Sequence, residues 1–270
     1  MSNRRKIKAD IPEGGHTPID AAITGRDEQT LDMVKQAVES GQTMLAFQPV
    51  MQARAPRKVA FYEGLIRVLD PSGRVLPARK FMPAIEATEL GREIDSIALA
   101  TGLRTLTANP SIRLSLNMSV RSVGYKRWMR ILDRHLKHDA TVGERLVLEI
   151  SERSAMMMPD LTVDFMDSLQ DRNIGFALDD FGTGVSSFHY LKNLPVKYLK
   201  IDGSFIEDIC TNKIDEIVVQ SIVAAASAMQ IKTVAEYVSH DDILNRVRDL
   251  GIDYAQGYCL SKPEVLTKAT

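Results

Sequence analysis

Two adjacent carboxylates, Asp179 and Asp180, close an apolar run in Gly175-Phe-Ala-Leu-Asp-Asp-Phe-Gly-Thr-Gly184. A buried strand that ends in two like charges is costly unless a cation shares them. Other acids end apolar runs in the same way: Glu63 after Val59-Ala-Phe-Tyr62, Glu149 after Leu146-Val-Leu148, and Glu236 after Thr233-Val-Ala235. Asn117 follows Arg113-Leu-Ser-Leu116, Lys200 follows Tyr198-Leu199, and a last run ends at Gln256-Gly-Tyr258. If these ends meet, five carboxylates face one lysine. The formal charge left over, about −4, repels itself in a partly buried place. The candidate donors are all oxygens, with no His or Cys among them, which suits Mg²⁺ or Mn²⁺ better than Zn²⁺. Two such cations about 3.5–4 Å apart under a shared carboxylate suit in-line attack on a phosphoryl centre. Asp179 is the natural bridge, with Asp180 beside it. For any single acid an isolated salt bridge is an equally good account. For the set it is poor, because one lysine cannot pair with five acids.

Such a convergence needs strands whose ends share one mouth. Short apolar runs suited to strands lie at 44–47, 59–62, 112–116, 145–150, 175–178, 198–201 and 232–235, with a weak one near Tyr254. Between most of them lie amphipathic stretches at 79–90, 93–106, 163–172, 215–229 and 241–250, and a further helical spacing covers 27–39. Strand and helix alternating about eight times in one domain-sized chain predicts a TIM-like (β/α)8 barrel, α/β in class and a single domain. In that fold the carboxyl ends of parallel strands meet at one mouth, where active sites sit. An open doubly wound sheet is disfavoured, because no G-x-G-x-x-G follows the first strand.

Composition sets the outer limits. The chain has 270 residues, 44% hydrophobic and 26% charged, with a formal net charge of −1. Nothing in that balance attracts a DNA or RNA duplex or an anionic membrane, so any phosphate must be bound by a local site. Cys210 and Cys259 show no metal or redox spacing and read as reduced thiols. Residues 1–26, with Pro12, Gly14, Gly15, Pro18 and Gly25, read as a flexible N-terminal tail ahead of a barrel over 27–270. Its basic cluster, Arg4, Arg5, Lys6 and Lys8, precedes no apolar core, and no apolar run is long enough for a membrane span. A cytoplasmic location is expected.

The motifs come in an order that resembles the EAL-domain phosphodiesterases, which hydrolyse the bacterial second messenger cyclic di-GMP. The resemblance covers roughly residues 28–264. It rests on Phe47-Gln-Pro-Val50, Glu63-Gly-Leu-Ile-Arg67, Phe81-Met-Pro83, Leu116-Asn-Met-Ser119, Leu148-Glu-Ile-Ser-Glu152, Leu178-Asp-Asp-Phe-Gly-Thr-Gly184, Leu199-Lys-Ile-Asp202, Val234-Ala-Glu236 and Gln256-Gly-Tyr258. It implies metal-dependent hydrolysis of cyclic di-GMP to linear pGpG with two divalent cations. Glu63, Asn117, Glu149, Asp179, Asp180 and Glu236 would be metal ligands. Lys200, Glu236 and Glu63 would act in catalysis, Lys200 by contacting the attacking water. Gln48, Leu65, Arg67 and Gln256 would line the substrate site, with Arg67 gripping a phosphate. Ser151 and Glu152 would steady the loop after the Asp-Asp pair. A homodimer is implied, and a regulatory protein partner is left open. The alternative is a catalytically weak cyclic di-GMP receptor or signalling scaffold.

The chain departs from the family pattern in five places. Gly64 stands for Ala in the signature, Val185 for Tyr, Tyr237 for Gly, Ser239 for Glu, and Gly203 where Arg is frequent. None of these removes an expected metal ligand. Elsewhere the readings are structural: His189 at a helix start, His135 and His138 on a solvated face, and Trp128 on a helix packed against the barrel. Met156-Met-Met158 forms loop packing, part of the mouth, or a dimer seam.

Overall fold

Only Ala53 and Arg54 separate the first two strands, β1 (Thr43–Gln52) and β2 (Ala55–Leu69). A parallel pair needs a long crossover, so a link this short permits only an antiparallel hairpin. In the computed structural model, which describes residues 18–184 and 188–265, β1 runs antiparallel to both of its neighbours, β2 and β9. The expectation that all strands are parallel is corrected at this one strand. The others are β3 (Val75–Pro77), β4 (Leu114–Asn117), β5 (Leu146–Ser151), β6 (Gly175–Phe181), β7 (Tyr198–Ile201), β8 (Lys232–Ala235) and β9 (Tyr254–Ala255).

The strands follow the order β1-β9-β8-β7-β6-β5-β4-β2-β3, and the β1–β2 pairing closes eight of them into a barrel. β2 and β4 to β9 are parallel from neighbour to neighbour. β3 is a short antiparallel extension on the outer part of β2 that the sequence pattern did not reveal. The fold is therefore the expected TIM-like barrel with one strand reversed.

Side chains alternate along a strand with a period of two, so every second residue points into the barrel. Val50, Phe61 and Val234 form an interior apolar layer with Tyr198 and Tyr254 packed against it. The rings of Phe61, Tyr198 and Tyr254 meet at centroid distances of 5.0–6.3 Å. Two residues further along each parallel strand stand Glu63, Lys200, Glu236 and Gln256. On the reversed β1 the matching residue comes two places earlier, and it is Gln48. An aromatic layer thus packs inside the barrel beneath the polar residues.

Outside the barrel the main core fills the space between strands and helices. Trp128, on the helix Lys126–His138, is 1% exposed and packs on Phe165 of the helix Pro159–Gln170. The helix Glu89–Ala108 passes so close to the sheet that Gly102 leaves room only for the end of Leu116. The stretch expected to be one helix over 79–90 is instead broken. A 3-10 turn, Ala78–Lys80, leads to the short helix Met82–Ile85, and Thr88 is extended before the next helix begins at Glu89. The first helix, Pro18–Glu39, begins ahead of the expected start at Asp27. Residues 1–17, residues 185–187 with Val185 among them, and the end from 266 lie outside the described residues. No helix among the described residues is long and apolar enough to cross a membrane.

Candidate metal and phosphodiester site

Lys200 leaves β7 pointing into the barrel and is 1% exposed. Its Nζ lies 2.7 Å from Glu149 Oε2, 2.9 Å from Glu236 Oε1, 3.0 Å from Asp179 Oδ1 and 3.4 Å from Glu63 Oε2. Four strand ends thus converge on one ammonium. An ammonium carries three hydrogens, so it cannot serve four carboxylates fully. Among the described residues, Asp179 Oδ1 is within ion-pair range yet receives no well-aligned hydrogen bond, and the buried Glu149 Oε1 has no donor.

Amides complete the floor of the mouth. Asn117 Nδ2 donates to Glu63 Oε1 at 2.7 Å, and Gln256 Nε2 donates to Glu63 Oε2 at 2.7 Å. Gln256 also reaches Gln48 Oε1 at 3.3 Å, while Gln48 Nε2 donates to the carbonyl of Ser261 at 3.0 Å. Ser261 had no signal in the sequence, since only its backbone takes part.

Asp180 follows on the rim. Carboxylate oxygens of Asp179, Asp180 and Glu236 can all lie within 4.8 Å of one another. Asp180 sits in the left-handed backbone region at φ +53°. Non-glycine residues adopt that conformation at a cost and keep it where the surroundings enforce it. Here Glu152, 1% exposed, accepts from the backbone N–H of Gly182 at 2.8 Å and of Gly184 at 3.3 Å. The Ser151 side chain caps the turn that presents Glu152 by accepting from Ser154 N.

The charges are strongly perturbed. Burial pushes Glu149 up to about 8, with the charge of Glu63 adding to it, against the pull of Lys200. Burial and the Asp179 charge push Asp180 up to about 6. Burial also raises Asp179 and Glu236 despite Lys200. Glu63 goes the other way: burial opposes its charge, but Lys200 and the hydrogen bonds from Gln256 and Asn117 outweigh burial. Lys200 stays charged, because four carboxylates more than offset its own burial.

This arrangement fits hard divalent cations. The donors are all oxygens, one ammonium meets four carboxylates with Asp180 on the rim, and among the described residues the buried oxygens Glu149 Oε1 and Asp179 Oδ1 have no hydrogen-bond donor. Arg67 and Leu65 are not drawn into the cluster. Arg67 is half-buried on β2 and donates to the carbonyl of Ile66, and Leu65 is half-buried beside Gly64. Gly64 has its own reason, since a Cβ there would come within 2.8 Å of Leu116 Cδ2. Ser239 is exposed, and its hydroxyl meets His240 Nδ1 at 2.9 Å.

An antiparallel-started (β/α)8 barrel with an acidic, lysine-centred mouth defines a class of hard-cation site. The chain belongs to the EAL domain family, whose model matches residues 31–263. It is similar to the cyclic di-GMP phosphodiesterase PdeB of Shewanella oneidensis, at 32% identity over 237 residues, covering 86% of this chain and 28% of that protein. Among solved structures it is similar to the PaMucR phosphodiesterase in its c-di-GMP complex, with 28% identity and a TM-score of 0.78 over 88% of this chain and 98% of that one. It is also similar to the FimX EAL domain from Pseudomonas aeruginosa bound to c-di-GMP, with 27% identity and a TM-score of 0.79 over 87% of this chain and 96% of that one. The chain spans about a third of the length of the curated relatives it matches.

Proposed function

We propose that this domain is a metal-dependent phosphodiesterase that opens cyclic di-GMP to linear pGpG. The observation that carries the reading is the convergence of Glu63, Glu149, Asp179 and Glu236 on the one ammonium of Lys200. Family membership and relatives named for this activity support it.

Glu63, Asn117, Glu149, Asp179, Asp180 and Glu236 would hold two divalent cations, Mg²⁺ or Mn²⁺. When bound, such cations lower the pKa of water and offset charge on a phosphate. Lys200 orients a water molecule toward phosphorus and offsets the repulsion among the neighbouring carboxylates. Glu236 accepts that water's proton, and Glu63, fixed by two amides, stays ionised. Gln48, Leu65 and Gln256 line the cradle of the nucleotide, and Arg67 pairs with a phosphate oxygen. The catalytic barrel is assigned to residues 27–270, and its location to the cytoplasm.

A second copy of the chain pairs with this one in our reading. Met157 and Met158, both about half exposed, offer apolar surface for it near Tyr190. A regulatory partner would act through the Glu152-held loop. The site assignment is tested with Glu63→Ala and Asp179→Asn, each expected to abolish turnover in Mg²⁺ or Mn²⁺. Full turnover by either variant would remove the assignment.

A further inference from the structure

Two departures from the family pattern, Tyr237 for Gly and Gly203 where Arg is frequent, prove to be one feature. Gly203 follows β7 and Tyr237 follows β8, and these strands are paired through Ile201 and Ala235. The two residues therefore leave the barrel side by side. A Cβ built on Gly203 would come within 3.0 Å of Cβ, Cγ and Cδ2 of Tyr237. The aromatic ring lies directly over the glycine backbone, in the space that any side chain at position 203 would need.

The backbone of Tyr237 is left-handed, at φ +54°. A bulky residue adopts that conformation only at a cost, whereas glycine adopts it freely. The position is held by Val238, whose N–H bonds to Gln256 O at 3.0 Å and whose carbonyl accepts from Cys259 N at 3.0 Å. The strained residue is not spent on core packing, since Tyr237 is 57% exposed. It adjoins Glu236, and the charges that bear on its hydroxyl are those of Glu236, Asp180, Asp202 and Arg79. An exposed aromatic face, rigidly seated beside the acidic cluster, is a stacking surface for a flat ring. Base–aromatic stacking is a sequence-tolerant source of nucleotide affinity.

We propose that Tyr237 is a further substrate-binding residue: its ring, seated on Gly203, is the platform on which a purine base of the cyclic dinucleotide stacks. The proposal rests on the phosphodiesterase reading above, and it adds a contact where the family pattern has only a glycine.

The test measures KM, kcat and the dissociation constant for cyclic di-GMP in Tyr237→Phe, Tyr237→Gly, Gly203→Ala and the double variant. Tyr237→Gly keeps the fold, because glycine suits this backbone. Its KM and dissociation constant should rise about ten-fold, with the loss falling on KM rather than kcat. Tyr237→Phe, which keeps the ring, should stay within about two-fold. Gly203→Ala displaces the ring and should weaken binding alone, yet add nothing on the Tyr237→Gly background. A Tyr237→Gly protein with wild-type KM and affinity overturns the proposal while the phosphodiesterase reading stands. A wild-type protein that neither binds nor cleaves the dinucleotide overturns both.

Discussion

Lys200 Nζ lies 2.7 Å from Glu149 Oε2, and neither side chain is more than 1% exposed. Three further carboxylates lie within 3.4 Å of the same nitrogen. Removing one partner of a buried ionic network leaves uncompensated charge, at a cost of about 3–5 kcal/mol. Lys200→Met should therefore melt well below wild type in EDTA. Added Mg²⁺ or Mn²⁺ should raise its melting temperature more than that of wild type, because the cations replace the lost charge. Equal melting temperatures in EDTA would contradict a lysine-centred cluster.

Glu152 reaches the site only through the loop it holds. Its Oε2 is the acceptor for Gly182 and Gly184, next to the strained Asp180. Glu152→Ala leaves both N–H groups without that acceptor, costing about 1–3 kcal/mol. It should weaken the apparent Mg²⁺ affinity of the active protein, moving the midpoint of activity to about ten-fold higher metal. A wild-type midpoint would show that the loop does not position Asp180.

Gly64, beside Glu63, is set by packing. The Cβ of an alanine would press on Leu116 Cδ2, the end of a movable side chain, which also packs against the Cβ-free Gly102. Gly64→Ala should cost about 1 kcal/mol in urea unfolding and keep activity within about two-fold. A loss of activity much greater than the loss of stability would mean that the substitution reaches Glu63.

Asp95 gives a pH signature away from the cluster. It accepts from Ser122 Oγ at 2.6 Å and from Ser119 N at 3.0 Å, and burial pushes its carboxyl up to about 6. The folded protein holds this proton more tightly than the unfolded chain, whose carboxyl titrates near the ordinary value of 3.8. The Asp95 contribution is therefore favourable at low pH and is lost as pH rises from about 4 to about 6, by roughly 3 kcal/mol. Asp95→Asn keeps an acceptor oxygen without the charge. Relative to wild type it should gain stability across that range in denaturant titrations. Parallel profiles would contradict the assignment.

Much of the site was legible because it obeys the two-residue period of a strand. Phe61 and Glu63, Tyr198 and Lys200, Val234 and Glu236 each place a polar end two steps beyond a buried apolar residue. The direction of β1 was also written in the chain, in the two-residue link at Ala53 and Arg54. What could not be read is contact set by register between strands. Tyr237 and Gly203 are far apart in sequence, and only the β7–β8 pairing brings them together. The same holds for Ser261, which contributes a carbonyl and carries no side-chain signal.

The central claim is most directly tested by incubating the protein with cyclic di-GMP and Mg²⁺ or Mn²⁺ and separating the nucleotides by chromatography over time. The account predicts linear pGpG at many turnovers per protein, stopped by EDTA and restored by excess metal. Intact cyclic di-GMP recovered after prolonged incubation, bound or free, would contradict it, and binding without cleavage would make the domain a receptor.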